Sequence, residues 1–127
     1  MTVTATKRWI YDQSSGELRD PNGRRVAFGY SGKGASRNVP GREHVRAQGP
    51  IPRGFWRIGK PRNSKRTGPH VMDLAPIGHD AHGRSAFQIH GDNSLMNFTA
   101  SSGCIILARP IREMISKSGI TLLEVVA

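Results

Sequence analysis

Phe87-Gln-Ile-His90-Gly-Asp-Asn93, followed by Ala100-Ser-Ser-Gly-Cys104-Ile-Ile-Leu107, decides how the rest of the chain is read. Each segment sets a short apolar run against a small-residue turn, the pattern of a buried strand. Phe87 and Ile89 alternate with Gln88 and His90, so Gln88 and His90 share one face of their strand. Ser101-Ser-Gly103 is small and bendable. It sets the chain's only cysteine, Cys104, at a turn, and Ile105-Ile-Leu107 anchors that turn in the core.

Working outward, Trp9-Ile-Tyr11 and Arg25-Val-Ala-Phe-Gly-Tyr30 are strand-like. Turn signals at Ser15-Gly16 and Pro21-Asn-Gly23 enclose a short strand at Leu18, which predicts an N-terminal β-meander. Residues 31–49 have no periodicity and form a long irregular loop, a kind of segment that tends to be functional in small domains. Gly49-Pro-Ile-Pro-Arg-Gly54 is a stiff corner feeding a strand at Phe55-Trp-Arg-Ile-Gly59. Pro61 to Pro69 reads as a basic loop, Val71-Met-Asp-Leu-Ala75 as a strand, and Ser85 to His90 as another. Arg109 to Ser118 is the one helix candidate. Pro110 suits its first turn, Gly119 its stop, and Ile111, Met114 and Ile115 its buried stripe. Thr121 to Val126 closes the chain as a strand. The expectation is a mainly β, single-domain fold over residues 1–127, a sandwich or barrel with one short C-terminal helix.

The chain has 127 residues, a formal net charge of +10 and a hydrophobic content of 36%, low for a globular domain. Such a balance points to an acidic or anionic partner: nucleic acid, anionic lipid or bacterial cell wall. One cysteine excludes an internal disulfide framework. The opening Met1-Thr-Val-Thr-Ala-Thr-Lys-Arg-Trp9 has no apolar core of the kind a signal peptide needs. No apolar run is long enough to span a membrane. The protein is expected to be made in the cytoplasm and, if it acts elsewhere, to be carried there.

A thiol attacks a carbonyl only as the thiolate, so it needs a base or a surrounding that favours its charge. His90 is the natural partner for Cys104, because strand packing can bring it within hydrogen-bond reach. The amides near Gly103 and Cys104 would face the same point and hold the oxyanion of a tetrahedral intermediate. Residue by residue the bland reading is strong: a cysteine before Ile-Ile-Leu is usually a small buried hydrophobe.

At these residues the sequence resembles the L,D-transpeptidases with a YkuD-type catalytic domain. Those enzymes carry a histidine–glycine step followed at a comparable distance by Ser/Thr-His-Gly-Cys. The matches here are His90-Gly91 and Ser101-Ser102-Gly103-Cys104, with a slightly shorter spacing. The chain is more similar still to the small L,D-transpeptidase-like antibacterial effectors delivered by type VI secretion. The landmarks of that group fall in order: Trp9 to Asp12, Tyr30-Ser-Gly-x-Gly34, Asn38-x-Pro40, Gly49-Pro-Ile-Pro-x-Gly54 and Ile89-His-Gly-Asp92.

The resemblance implies a β-rich fold and acyl transfer at peptidoglycan stem peptides. Cys104 would be the nucleophile and His90 the base, with the Gly91 carbonyl orienting the imidazole and the Gly103 and Cys104 amides forming the oxyanion hole. The terminal D-alanine would be cleaved by water (L,D-carboxypeptidase) or exchanged for another D-amino acid (L,D-transpeptidase). Ser101, Ser102, Asp92, Arg109 and Tyr30 are the expected substrate-binding residues. Ser102 stands where the wider family has histidine, so the site is expected to run on one imidazole. Asp92 is equally readable as a turn residue. The resemblance also implies action in the periplasm of a target bacterium after delivery, a secretion-system carrier and a periplasmic immunity protein.

No cofactor is called for by this chemistry. His79 and His82 with Asp80 are read as solvated turn residues rather than a metal site. Arg53, Arg57, Arg62, Lys65 and Arg66 form a basic stretch suited either to an acidic substrate or to solvent. The competing reading, from another class, is a small basic nucleic-acid-binding module. It rests on the net charge and the arginine-rich loop, while no stacking pattern or recognition helix accompanies it.

Overall fold

A computed structural model of the chain describes residues 7–92, 101 and 103–127. Among these residues ten strands and one α-helix form: β1 (Trp9–Asp12), β2 (Glu17–Arg19), β3 (Arg25–Phe28), β4 (Tyr30–Ser31), β5 (Gly54–Ile58), β6 (Arg62–Ser64), β7 (Gly68–Ile77), β8 (Gln88–His90), β9 (Ile105–Ile106), α1 (Arg109–Ser118) and β10 (Leu122–Val126). The strands hydrogen-bond in the order β3-β2-β1-β10-β5-β7-β8-β9-β4, with β6 added to β7. The fold is mainly β with a single short helix, as the turn-rich composition predicts.

The predicted meander is present: β1, β2 and β3 pair antiparallel in succession. The chain's last strand, β10, then inserts between the meander and β5, parallel to β1 and antiparallel to β5. Alternation sets which side chains go inward. Trp9 and Tyr11 of β1, Trp56 and Ile58 of β5, and Leu123 and Val125 of β10 are buried together. Each such side chain contributes roughly 1.5–3 kcal/mol on leaving water. Phe55, on the opposite face of β5, stays 41% exposed.

Arg25 to Tyr30, which reads as one strand, is two. A Cβ on Gly29 would fall 2.1 Å from the Ile106 carbonyl oxygen, so only glycine lets the chain cross there. Beyond that crossing, Tyr30 and Ser31 leave β2 and pair with Ile106 and Ile105 of β9. The predicted basic loop at 61–69 is largely a hairpin: β6 pairs with the first half of β7, Arg62 opposite Val71 and Ser64 opposite Gly68. Its polar strand shows no alternation of apolar residues, so periodicity misses it. β7 is correspondingly longer than Val71–Ala75. It carries β5 at one end and β8 in its middle, with Met72 opposite Ile89 and Asp73 opposite Gln88.

The helix has the expected bounds, with Gly119 left-handed at its end. Its buried stripe differs. Met114 is 44% exposed and Arg112 is 5% exposed. The Arg112 guanidinium donates to the carbonyls of Leu107 (2.6 Å), His70 (3.0 Å) and Pro69 (3.3 Å), which satisfies the charge and pins α1 against β7 and β9.

Candidate active site

β8 and β9 run parallel, with Ile89 beside Ile105 and His90 beside Ile106. Cys104 stands one residue ahead of β9, level with Gln88. The amide of Gln88 donates to the Cys104 sulfur at 3.2 Å, and the thiol reaches the Ala86 carbonyl oxygen at 3.6 Å. Cys104 and His90 line one open groove of about 950 Å³, together with Gln88, Gly91 and Asp92. Among the described residues no hydrogen bond joins the thiol to the imidazole.

The His90 imidazole is 4% exposed. Its Nδ1 lies 2.8 Å from the Gly91 carbonyl oxygen. A carbonyl only accepts, so Nδ1 carries the proton and Nε2 keeps its lone pair. Burial pushes the imidazole's pKa down. The Gly91 carbonyl and Asp92 act the other way, while the charges of Arg112 and Arg66 reinforce the lowering. Burial likewise pushes the Cys104 thiol up, against the Gln88 amide and the charges of Arg66 and Arg84. Both shifts favour the uncharged forms, thiol and imidazole.

The turn that presents the thiol is held by buried polar atoms. Ser101 Oγ donates to the Cys104 carbonyl oxygen (2.6 Å) and accepts from the amides of Gly103 (3.1 Å) and Gly32 (2.9 Å). Ser31 Oγ donates to the Gly103 carbonyl oxygen (2.9 Å) and accepts from the Ile51 amide (2.8 Å). Gly103 has φ +130°, and a Cβ there would lie 2.3 Å from Arg84 Nη2 and 3.0 Å from the Phe87 ring. Arg84 crosses beneath it, donating to the carbonyls of Glu43, Gly49 and Pro50 with its guanidinium 5.0 Å from the Phe87 ring centroid. The Gly49-Pro-Ile-Pro-Arg-Gly54 corner and the thiol turn are thus tied through one arginine.

Behind them Glu43 accepts from Gln13 (2.9 Å) and Arg53 (2.8 Å), and His82 Nε2 lies 2.6 Å from its other oxygen. Burial pushes the Glu43 carboxyl up, but these hydrogen bonds outweigh it and hold the pKa at about 2.

Several expected substrate contacts fall elsewhere. Ser101 is wholly buried with its hydroxyl spent on the turn, so it builds the site rather than touching a ligand. The Gly103 amide, expected in the oxyanion hole, is taken by Ser101. Arg109 lies on α1, outside the groove lining, and pairs with Glu113 at 3.2 Å one turn on. Tyr30 is buried and does not line the groove; its hydroxyl donates to Asp92 at 2.7 Å, and Asp92 does line it. Ser102 lies outside the described residues.

The two histidines of the glycine-rich loop are not simply solvated. His79 packs edge-on against Trp56 with its Nε2 3.0 Å from the Phe55 carbonyl oxygen, and His82 meets Glu43. Of the basic stretch, Arg62, Lys65 and Arg66 line the groove, whereas Arg53 turns to Glu43. Arg84 and Arg112 are the residues that sequence reasoning misses. An isolated arginine before a strand or within a helix carries no periodic signal, although its neighbours Phe87 and Ile115 are visibly core.

Residues 25–126 match the family described as the Tlde1 domain. Among solved structures, the crystal structure of the helical cell shape determining protein Pgp2 from Campylobacter jejuni aligns with a TM-score of 0.61 at 16% identity. The alignment covers 92% of this chain and 46% of that one, so the chain spans about half the length of that protein. At such identity the likeness is one of fold. Curated proteins give no match.

Proposed function

The chain belongs to the Tlde1 domain family, peptidoglycan-modifying effectors of type VI secretion, and on that premise we propose that it removes or exchanges the terminal D-alanine of stem tetrapeptides through a covalent Cys104 intermediate. The observation that carries this reading is the shared groove. Cys104 and His90 both open on it, and the Gly91 carbonyl holds the imidazole in the tautomer that a base requires.

His90 Nε2 takes the thiol proton as Sγ attacks the carbonyl carbon of the third stem residue. The oxyanion that develops falls to the Cys104 amide, since Ser101 occupies that of Gly103. The tetrahedral intermediate collapses, the C–N bond breaks, and the imidazolium returns its proton to the departing amine. Water then gives its proton to His90 and its oxygen to the thioester, releasing the tripeptide and the thiol. A D-amino acid amine in place of water gives the exchanged stem. Asp92, held by Tyr30, is placed to steady the His90 end of the groove.

Delivery by a secretion apparatus into a target periplasm, and neutralisation in the producer by an immunity protein, complete the reading. Among the described residues no helix is long and apolar enough to cross a membrane.

The test is mass analysis of peptidoglycan fragments after incubation with and without a free D-amino acid. Tetrapeptide is expected to fall, with matching tripeptide or exchanged stem, and Cys104→Ala is expected to abolish both. Release of whole stems, or full activity in Cys104→Ala, rejects the proposal.

A further inference from the structure

The groove is walled by cations of two kinds. Arg62 is bound bidentately to Asp73, at 2.8 and 2.9 Å, and Arg84 is engaged with the carbonyls under the thiol turn. Arg46, Lys65 and Arg66 also line the groove, and among the described residues their side chains have no carboxylate or carbonyl partner. Only Arg66 of these three exerts its charge on both Cys104 and His90. It sits at the turn of the β6–β7 hairpin, whose strands are fixed in register by Arg62 opposite Val71 and Ser64 opposite Gly68. Ser64 Oγ accepts from the amides of Arg66 (3.2 Å) and Thr67 (3.1 Å), and Thr67 Oγ1 donates to Gln88 (2.9 Å). Gln88 is the residue whose amide touches the thiol. The backbone that carries Arg66 is therefore tethered to the reacting centre while its guanidinium is left open.

An enzyme that releases the last residue of a peptide has a carboxylate one residue beyond the scissile carbonyl. An unpartnered guanidinium on the same groove as Cys104 suits that group, because its fork matches a carboxylate's two oxygens. We propose that Arg66 binds the terminal α-carboxylate of the departing residue, which makes the site selective for stems ending in a free acid over stems whose last carboxyl is blocked or extended. This rests on the acyl-transfer reading above.

The test compares a synthetic stem tetrapeptide as its free acid with the same peptide as its C-terminal amide. The readout is the ratio of kcat/KM for acid over amide, because any change in thiol activation scales both substrates alike. The wild-type ratio is expected to be about tenfold or more, the usual size of a charge-assisted contact at a partly open site. Arg66→Gln is expected to bring it near unity, mostly through KM of the acid, and Arg66→Lys to keep part of it. Thermal unfolding at the wild-type temperature confirms that the exposed hairpin variant is folded. A ratio unchanged in Arg66→Gln overturns the assignment. Cleavage of both peptides by Cys104→Ala, or of neither by the wild type, overturns the acyl-transfer reading instead.

Discussion

The thiol turn and the β6–β7 hairpin stand on the same groove and are built in opposite ways. In the turn, the polar side chains among the described residues are spent inward: Ser101 and Ser31 bind backbone groups, and Arg84 braces Gly103, the residue before Cys104. In the hairpin, the backbone is held but Lys65 and Arg66 point charges into the groove without protein partners among the described residues. Buried and satisfied groups define geometry, whereas unsatisfied charges on a concave surface define what is bound. Substitution should accordingly cost fold and rate in the turn, and chiefly selectivity in the hairpin.

The largest expected effect comes from Ser101→Ala. It strips two buried amides and one buried carbonyl of their partner at once. At about 1–3 kcal/mol for each orphaned group, with partial relaxation, the variant should lose roughly 2–4 kcal/mol of stability in chemical denaturation. Its turnover should fall with it. Arg66→Gln in the same assay should stay within about 0.5 kcal/mol of wild type, as exposed substitutions do. Equal losses in the two variants would erase the contrast between the regions.

Acid should weaken the scaffold behind the turn next. Glu43 has a folded pKa depressed to about 2. A depressed carboxyl contributes stability that is fully present above its unfolded value of roughly 4.3 and is lost as pH falls toward the folded value. Up to about 2–3 kcal/mol should therefore disappear between about pH 4.5 and 2, and Glu43→Gln should remove most of that dependence. Denaturation midpoints measured across this window check it; a parallel loss in Glu43→Gln would place the acid sensitivity elsewhere.

His90 gives a smaller effect with a definite sign. Burial lowers its pKa in the folded state, so the neutral base persists below the ordinary histidine value of about 6.5. The acid limb of kcat/KM for the free-acid peptide should lie below that value. A limb above it would mean that the imidazole works as a cation stabilised by Asp92. Since Arg66 is among the charges that lower it, Arg66→Gln should move the limb upward. Arg109→Ala sets the floor. Its only side-chain hydrogen bond among the described residues is the exposed pair with Glu113, so activity should be unchanged and stability should shift by about 0.5 kcal/mol or less.

The parts legible in the sequence are those with local signatures. Pro110 and Gly119 bracket the helix, Ser15-Gly16 and Pro21-Asn-Gly23 mark the meander, and the alternation of Phe87 and Ile89 with Gln88 and His90 puts the last two on one face. What escaped reading depends on contacts between distant segments. Gly29 splits a continuous apolar run because Ile106, far along the chain, passes against it. Arg112 is buried because three carbonyl oxygens from other elements converge on it, and Met114 is displaced to the surface in its place. Arg62-Asn-Ser64 is polar on both faces and still a strand, since pairing with β7 satisfies its backbone without help from a core. That Cys104 and His90 share one groove was legible because two motifs carried them. The arginine beneath Gly103 and the hydroxyl that takes the Gly103 amide were not, because nothing local to either residue announces its partner.

The most direct measurement is intact-protein mass after rapid mixing with the free-acid tetrapeptide. The account predicts a transient adduct equal to the tripeptide acyl group, located on Cys104 by fragmentation and absent in Cys104→Ala. Turnover of the peptide with no adduct under any quench, or with turnover retained by Cys104→Ala, would contradict it.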